Sequence, residues 1–163
     1  ISQVKPYQII LVDILVVGTH FDSQRQGAAL VSEIQRTYPD KYVIAYTGAA
    51  MNDRAAKRAI ERADKLIRKD VDIEEFVISI DEAAEYITDP CHIWNRIRKR
   101  FLEMDVSTKN ILILEDAYVR SIIASDLEMR ALSRMADRLR LPIDIKAIIS
   151  GLISSSAVAI IAG

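Results

Sequence analysis

The first half of the chain alternates short apolar runs with amphipathic segments. Residues 9–12 form an apolar run that ends at Asp13, and residues 42–46 form a second run that ends at Thr47. Uninterrupted apolar runs of this length are typical of strands that are buried on both faces. Apolar residues at helical spacing separate the two runs, between residues 30 and 38. This order predicts an α/β fold in which helices cover a parallel sheet.

Helix starts are indicated further along the chain. Asp72 with Glu75, and Ser79 with Glu82, each have the spacing of a capping box. Asp89 precedes a proline, which is the pattern of an N-cap followed by the first helical residue. The helix predicted after it has one apolar face, formed by Ile93, Ile97, Phe101 and Met104.

The last third of the sequence is predicted to be a helical extension. A polar break at residues 105–110 separates an α/β domain, residues 1–104, from the extension, residues 105–163. Within it, residues 111–114 have the composition of a strand, and apolar positions at spacings of three, four and seven predict one long helix over residues 117–141. We expect its apolar seam to be buried by self-association or by an intramolecular core.

The final stretch has two interpretations. Residues 147–163 carry no charge, which is slightly short of the roughly 20 apolar residues that a membrane helix needs. The stretch is therefore either a helix of a buried core or the beginning of a membrane segment. The chain starts without methionine and stops inside this apolar run, so we expect it to be a piece of a longer protein.

Composition narrows the class of protein. Half of the residues are apolar and 28% are charged, which is enough apolar material for a packed core. The net charge of −1 gives no electrostatic reason to expect nucleic acid as a partner. A single cysteine, Cys91, excludes an intrachain disulfide and fits a reducing cytoplasm.

Three residues have the chemistry of a phosphoryl site. Asp13 and Thr47 end predicted strands, and Lys69 ends a third strand if residues 65–68 are extended. Sites of open parallel sheets are built at the carboxyl ends of the strands. A carboxylate there can act as the nucleophile toward a phosphoryl group, while a hydroxyl and an ammonium hold its oxygens. The alternative is that all three are ordinary turn, buried or solvated residues.

Four segments in order resemble the second half of a response-regulator receiver domain. They are residues 9–14, 43–49, 62–69 and 72–76, and Thr47 and Lys69 are separated by 22 residues, as in that family. The resemblance implies a partial flavodoxin-like sheet. It also implies a helix to about residue 62 and a strand at residues 65–68, whereas helix propensity alone favours a single helix over residues 53–69.

The resemblance further implies a function. A histidine kinase or another phosphodonor would transfer a phosphoryl group to Asp13, with Mg²⁺ bound by Asp13 and bridging the carboxylate and the phosphate. Thr47 and Lys69 would then respond to the phosphate, and the helical extension would relay the signal.

The sequence departs from the family in three places. Asp70 follows Lys69 where a proline is usual, the loop after Asp13 is long, and the acidic pair that binds Mg²⁺ is missing from the front. Residues 110–116, which end in Glu115 and Asp116, resemble that missing strand and would make a permuted receiver. The competing function is a non-catalytic interaction or assembly module with a receiver-like fold, anchored to a membrane if residues 147–163 insert.

Overall fold

The computed structural model describes residues 2–14, 26–48, 57 and 61–162. The chain packs as two compact units. The first comprises Ile1–Thr37 with Lys41–Glu85, and the second comprises Tyr38–Asp40 with Tyr86–Gly163. This division lies well before the polar break at residue 105 from which the sequence predicted a boundary. The helix that precedes the break packs with the helices that follow it, because its apolar face is part of their core.

The first unit is an α/β layer. It contains a 3₁₀ turn and, in chain order, β1 (Ile9–Asp13), α1 (Gln26–Thr37), β2 (Tyr42–Thr47), β3 (Lys65–Arg68) and most of α2 (Ile73–Thr88). The strands form one parallel sheet in the order β1-β2-β3. The predicted α/β class with a parallel sheet is confirmed.

The register of the sheet fixes which strand residues are neighbours. Asp13 is opposite Tyr46, and Tyr46 is opposite Ile67, whereas Thr47 is opposite Arg68. Because side chains alternate between the two faces of a sheet, residues in one row of neighbours share a face. The row that contains Asp13 and Tyr46 therefore belongs to the opposite face from the row of Thr47.

One face of the sheet packs against α1. Val12, Val43 and Ala45 from the strands are buried together with Val31 and Ile34 from the helix. These helix positions are three apart, so they lie on the same side of α1. Val31 and Ile34 of the predicted apolar pattern thus form the buried face of this helix, Leu30 is partly buried beside them, and Tyr38 follows the end of the helix.

The third strand settles a conflict between two sequence predictions. Residues 65–68 are extended and pair with β2, and the side chain of Ile67 is buried. Tertiary pairing therefore overrides the helix propensity of the Lys- and Arg-rich stretch, as it often does for short segments. Most of the helix predicted before it, to residue 62, lies outside the described residues.

The second unit is helical. It contains α3 (Pro90–Glu103), α4 (Thr108–Ile123), α5 (Arg130–Arg138) and α6 (Ile143–Ala162). These helices share one apolar core, to which every one of them contributes. Its fully buried members include Ile97, Phe101, Leu114, Ala117, Met129, Leu132 and Leu152.

Two of the predicted helix starts are confirmed and one is wrong. Asp89 caps α3 by accepting a hydrogen bond of 2.7 Å from the amide of Cys91, and the amide of Glu75 donates to Asp72 at 2.8 Å before α2. Ser79 caps nothing because it is buried inside α2, which has already begun at Ile73.

The strand predicted at residues 111–114 is wrong, because the segment belongs to α4. Ser107 caps that helix, with its hydroxyl accepting from the amide of Asn110 at 3.3 Å. Ile111, Leu114 and Ala117 then recur every three residues on the buried face, which matches a helix. The permuted-receiver hypothesis is wrong as well, since it needed this segment to be a strand that ends in an acidic pair.

The long helix predicted over residues 117–141 is wrong too. The chain forms α4 and α5 with a turn between them, and Ser125 and Met129 in that turn have φ angles of 50° and 45°. Left-handed backbone of this kind interrupts a right-handed helix. The predicted apolar seam is buried within the unit itself, so it does not need a second molecule to cover it.

The last apolar stretch is α6, and its buried face packs in the same core. Ile145, Ile148, Ile149 and Leu152 recur at helical spacing on that face. The interpretation of this stretch as a core helix is confirmed. Among the helices that the structure describes, none has both the length and the apolarity required to cross a membrane.

Phe101 provides a test of this core. Its side chain is 0% exposed, so we expect Phe101→Ala to lower the free energy of unfolding by about 3–5 kcal/mol through lost burial and a new cavity. Chemical denaturation followed by the fluorescence of Trp94 reports on this unit, because Trp94 packs edge-on to Phe101 with ring centroids 6.4 Å apart. The neighbouring Leu102, which is half exposed, is the control, and Leu102→Ala should change stability little. Equal losses for both variants would contradict the core packing.

Candidate functional site

An ion pair lies at the carboxyl edge of the sheet. The Nζ atom of Lys69 lies 2.5 Å from Oδ2 of Asp13, so the ammonium donates a short hydrogen bond to the carboxylate. The Asp13 side chain is 23% exposed and that of Lys69 is 35% exposed. Both groups are therefore packed into the fold and still reachable from solvent. The sequence places Asp13, Thr47 and Lys69 at the carboxyl ends of strands, and the structure brings the side chains of Asp13 and Lys69 together there.

Lys69 reaches Asp13 by crossing the central strand. Lys69 lies two residues beyond Ile67, on the same face as Tyr46 and Asp13. Adjacent strands are about 4.8 Å apart, so β1 and β3 are roughly 10 Å apart and only a long side chain bridges them. The Lys69 ammonium passes over the ring of Tyr46, 5.6 Å from its centroid, at the distance of a cation–π contact.

Tyr46 connects this ion pair to α2. Its ring packs edge-on against Phe76 of α2, with ring centroids 6.2 Å apart and planes at 74°. This geometry is a favourable aromatic pair. The charged residues at the sheet edge are thus in contact with α2 through one aromatic ring.

Thr47 joins the site through its backbone. Its carbonyl accepts a hydrogen bond of 2.9 Å from the amide of Lys69, which extends the ladder of β2 and β3 by one residue. The side chain of Thr47 is buried, and its neighbour across the ladder is Arg68. Thr47 therefore holds the backbone of Lys69 in place, while its row in the sheet differs from the row that contains Asp13.

Arg68 and Asp70 flank Lys69 and pair with each other. The Arg68 guanidinium donates two hydrogen bonds of 2.7 Å to the Asp70 carboxylate. These hydrogen bonds hold the pKa of Asp70 below its usual value and raise the pKa of Arg68. Asp70 stands where the resembled family usually has proline, and here it neutralises the cation that precedes Lys69.

Gly27 lets α1 approach the end of β1 closely. A Cβ atom at this position would lie 2.5 Å from Cα of Ile14 and 3.0 Å from the carbonyl oxygen of Asp13. Real Cβ atoms do not approach backbone so closely, so a larger residue would push α1 away from the residue that follows Asp13. Gly48, after β2, is different, because among the described residues a Cβ there would meet only the flexible Lys69 side chain, at 3.6 Å.

The magnesium ion implied by the resemblance stays a prediction. Within residues 2–14, 26–48, 57 and 61–162, no three or more acidic, histidine or cysteine side chains are grouped so as to hold a metal. Asp13 supplies one carboxylate, and that carboxylate already accepts from an ammonium. Mg²⁺ is commonly bound by one or two carboxylates together with phosphate oxygens and water. Asp13 would be one protein ligand of such an ion, and the long loop that follows it, residues 15–25, lies outside the described residues.

Two members of this site were missed from the sequence. Tyr46 immediately precedes Thr47, and the two-residue period of strands would have placed it beside Asp13 once the register was known. Gly27 carries no chemical signal in the sequence. Its contact depends on the approach of a helix to a strand, for which one glycine in a sequence is no signal.

Comparison with models of protein families, with curated proteins and with solved structures gave no match.

The two glycines give a matched test of the packing around Asp13. We expect Gly27→Ala to lower the free energy of unfolding by about 1–3 kcal/mol, because the added methyl group overlaps backbone that cannot move aside. Gly48→Ala should stay within about 0.5 kcal/mol of the original chain, as for a substitution without a clash. Chemical denaturation of both variants checks this. A Gly27→Ala chain as stable as Gly48→Ala would contradict the close approach.

A double-mutant cycle tests the ion pair. Asp13→Asn and Lys69→Gln each remove one charge while keeping the side-chain size, and the double variant removes both. We expect a coupling free energy of about 0.5–1 kcal/mol, modest because water screens a pair that is partly exposed. Urea denaturation of the four proteins gives this value. Strictly additive effects would show that the two groups do not interact in solution.

Proposed function

We propose that the chain is a receiver-like signalling module that accepts a phosphoryl group on Asp13. The observation that carries this proposal is the Asp13–Lys69 ion pair at the carboxyl edge of a parallel α/β sheet. In the resembled family a phosphoacceptor aspartate and a lysine act at such an edge, and we propose that Asp13 and Lys69 have these roles here. The finer fold that we propose is flavodoxin-like, of which β1, β2 and β3 form one part.

The proposed reaction uses groups that are already adjacent. An oxygen of the Asp13 carboxylate attacks the phosphorus of the donor, and the bond from phosphorus to the leaving group breaks. The leaving group departs with the electron pair of that bond, and Asp13 becomes an acyl phosphate. Lys69 then donates to a phosphoryl oxygen instead of the carboxylate, which stabilises the added negative charge. Mg²⁺, when bound with the phosphate, would supply further charge neutralisation.

Movement of Lys69 would transmit a signal from Asp13 to α2. Its ammonium lies over Tyr46, and Tyr46 packs against Phe76 of α2. A phosphoryl group that draws the ammonium away would remove the cation from the ring and change the contact with α2. We propose that α2 and the helical unit after it relay this change. The donor would be a histidine kinase or a small phosphodonor, which makes the cytoplasm the proposed location.

The second candidate function is a non-catalytic interaction module. It is favoured by the directness of the Asp13–Lys69 contact and by the lack of a metal-binding group in the described part of the chain. In this alternative, the ion pair only fixes the ends of β1 and β3, and the fold serves as a surface for partners. Both candidates predict that the pair stabilises the sheet, so only chemistry at Asp13 distinguishes them.

Incubation of the chain with acetyl phosphate, with and without Mg²⁺, tests the proposal. Intact-mass spectrometry should show one added phosphoryl group that hydroxylamine removes, since hydroxylamine cleaves acyl phosphates. We expect Asp13→Asn to abolish labelling, because an amide is not a nucleophile toward phosphorus. Lys69→Gln should slow labelling at least about tenfold, since it removes the stabilising cation.

Asp70→Asn is the matched control, because it removes an exposed carboxylate next to Lys69 and leaves Asp13 intact. It should be labelled like the original chain. Equal labelling of the Asp13→Asn chain would exclude Asp13 as the acceptor. An absence of labelling under every condition would instead support the interaction module.

A further inference from the structure

The helix α2 and the turn before it present an acidic and apolar face. Residues 70–85 contain no lysine or arginine and seven acids. Asp70 pairs with Arg68 and Glu82 with Lys65, and the exposed acids of α2 include Glu74, Glu75 and Asp81. Among these acids are exposed apolar side chains, of which Ile73 is 77% exposed and Val77 and Ile78 are half exposed. Apolar side chains within a strongly charged surface are typical of a face that is covered by a partner. The charge indicates that the partner is basic.

The helix α5 presents a surface of the opposite sign. Arg130, Arg134 and Arg138 recur every four residues, so they form an exposed stripe along one side of the helix. The opposite side, with Leu132 and Ala136, is buried in the core. Arg134 uses its Nε atom to bond the carbonyl of Arg130 at 3.2 Å, and Arg130 pairs with Glu128 at 2.8 Å. Both guanidinium groups lie on the exposed side of α5, and the charge of Arg130 is partly offset by Glu128.

The arginine stripe borders a shallow cavity of about 320 Å³. Its lining consists of Glu128, Arg130, Ser133 and Arg134. Such a cavity is suited to a protruding side chain from a partner that brings negative charge with it. The first turn of α2 offers such a side chain beside negative charge, because the exposed Ile73 is followed directly by Glu74 and Glu75.

We propose that two copies of this chain associate through α2 of one copy and the arginine stripe of α5 in the other. The chain carries both complementary surfaces, and its net charge of −1 means that two copies do not repel each other strongly. Acidic side chains of α2 face the stripe, and the exposed apolar residues of α2 are removed from water. This association does not depend on phosphorylation of Asp13.

A two-fold dimer satisfies this contact twice. If α2 of one copy meets α5 of its partner, a two-fold axis places the partner's α2 against the first copy's α5. Both complementary surfaces are then used, and no unpaired surface remains to extend the assembly. The contact relies on charge, so it should weaken as salt rises and the screening length falls from about 30 Å at 0.01 M to about 3 Å at 1 M.

Reversal of the charges on each of the two surfaces by mutation tests the dimer. One variant carries Glu74→Arg and Asp81→Arg on α2, and the other carries Arg134→Glu and Arg138→Glu on α5. Each alone places like charges opposite each other, so its dissociation constant should rise at least about tenfold. A mixture of the two restores opposite charges at both contacts and should give a heterodimer. Sedimentation velocity at low salt measures the association of each variant alone and of their mixture. Circular dichroism verifies that each variant is folded.

The matched control is a reversal on α4, Lys109→Glu with Arg120→Glu, which changes the net charge by as much as the α5 variant. It should leave the dimer intact. The inference is overturned if the original chain is monomeric at low salt, or if the variants dimerise as tightly as the original. It is also overturned if the mixture stays monomeric, or if assembly continues beyond the dimer.

Discussion

The parallel register of β1, β2 and β3 is the constraint on which the candidate site depends. It pairs Asp13 with Tyr46 and Tyr46 with Ile67, so that Lys69, two residues further, lies on the same face. A shift of one residue would move Lys69 to the face that packs on α1 and separate the charges. The ion pair, its passage over Tyr46 and the contact with Phe76 all follow from that register.

The second unit depends on a different interaction, the burial of one apolar face from each of four helices. Phe101 of α3, Leu114 of α4 and Leu132 of α5 share a core with residues of α6. Because these helices cover one another, the apolar seam predicted over residues 117–141 is buried within the unit. Exposed charge lies on α2 and on the outer side of α5, and large apolar side chains such as Ile123 and Ile143 are exposed as well.

The first unit, which contains the Asp13–Lys69 ion pair, and the second unit, which contains the helical core, thus depend on different interactions. Asp13 and Lys69 need an ordered sheet edge but little apolar burial, and they are partly open to solvent. The buried tyrosine of the helical unit shows the contrast. Burial raises the pKa of Tyr118 to about 12, and its hydroxyl donates to the carbonyl of Pro90 at 3.0 Å. The buried phenol therefore stays neutral and contributes to packing, whereas the carboxylate of Asp13 is partly exposed to solvent.

The sequence by itself determined the features that depend on a few neighbouring residues. The strands β1 and β2, the Asp89 cap and the buried Val31 and Ile34 of α1 follow local patterns that the sequence shows. The prediction that β1 is buried on both faces was wrong, because Leu11 is 43% exposed. The tertiary structure decided what depends on distant partners. Residues 65–68 became a strand because β2 was there to pair with, and residues 111–114 became a helix because their apolar side belongs to the core of α3 and α6. The contact of Gly27 with Ile14 and the passage of Lys69 over Tyr46 exist only after packing, since each joins residues from separate elements.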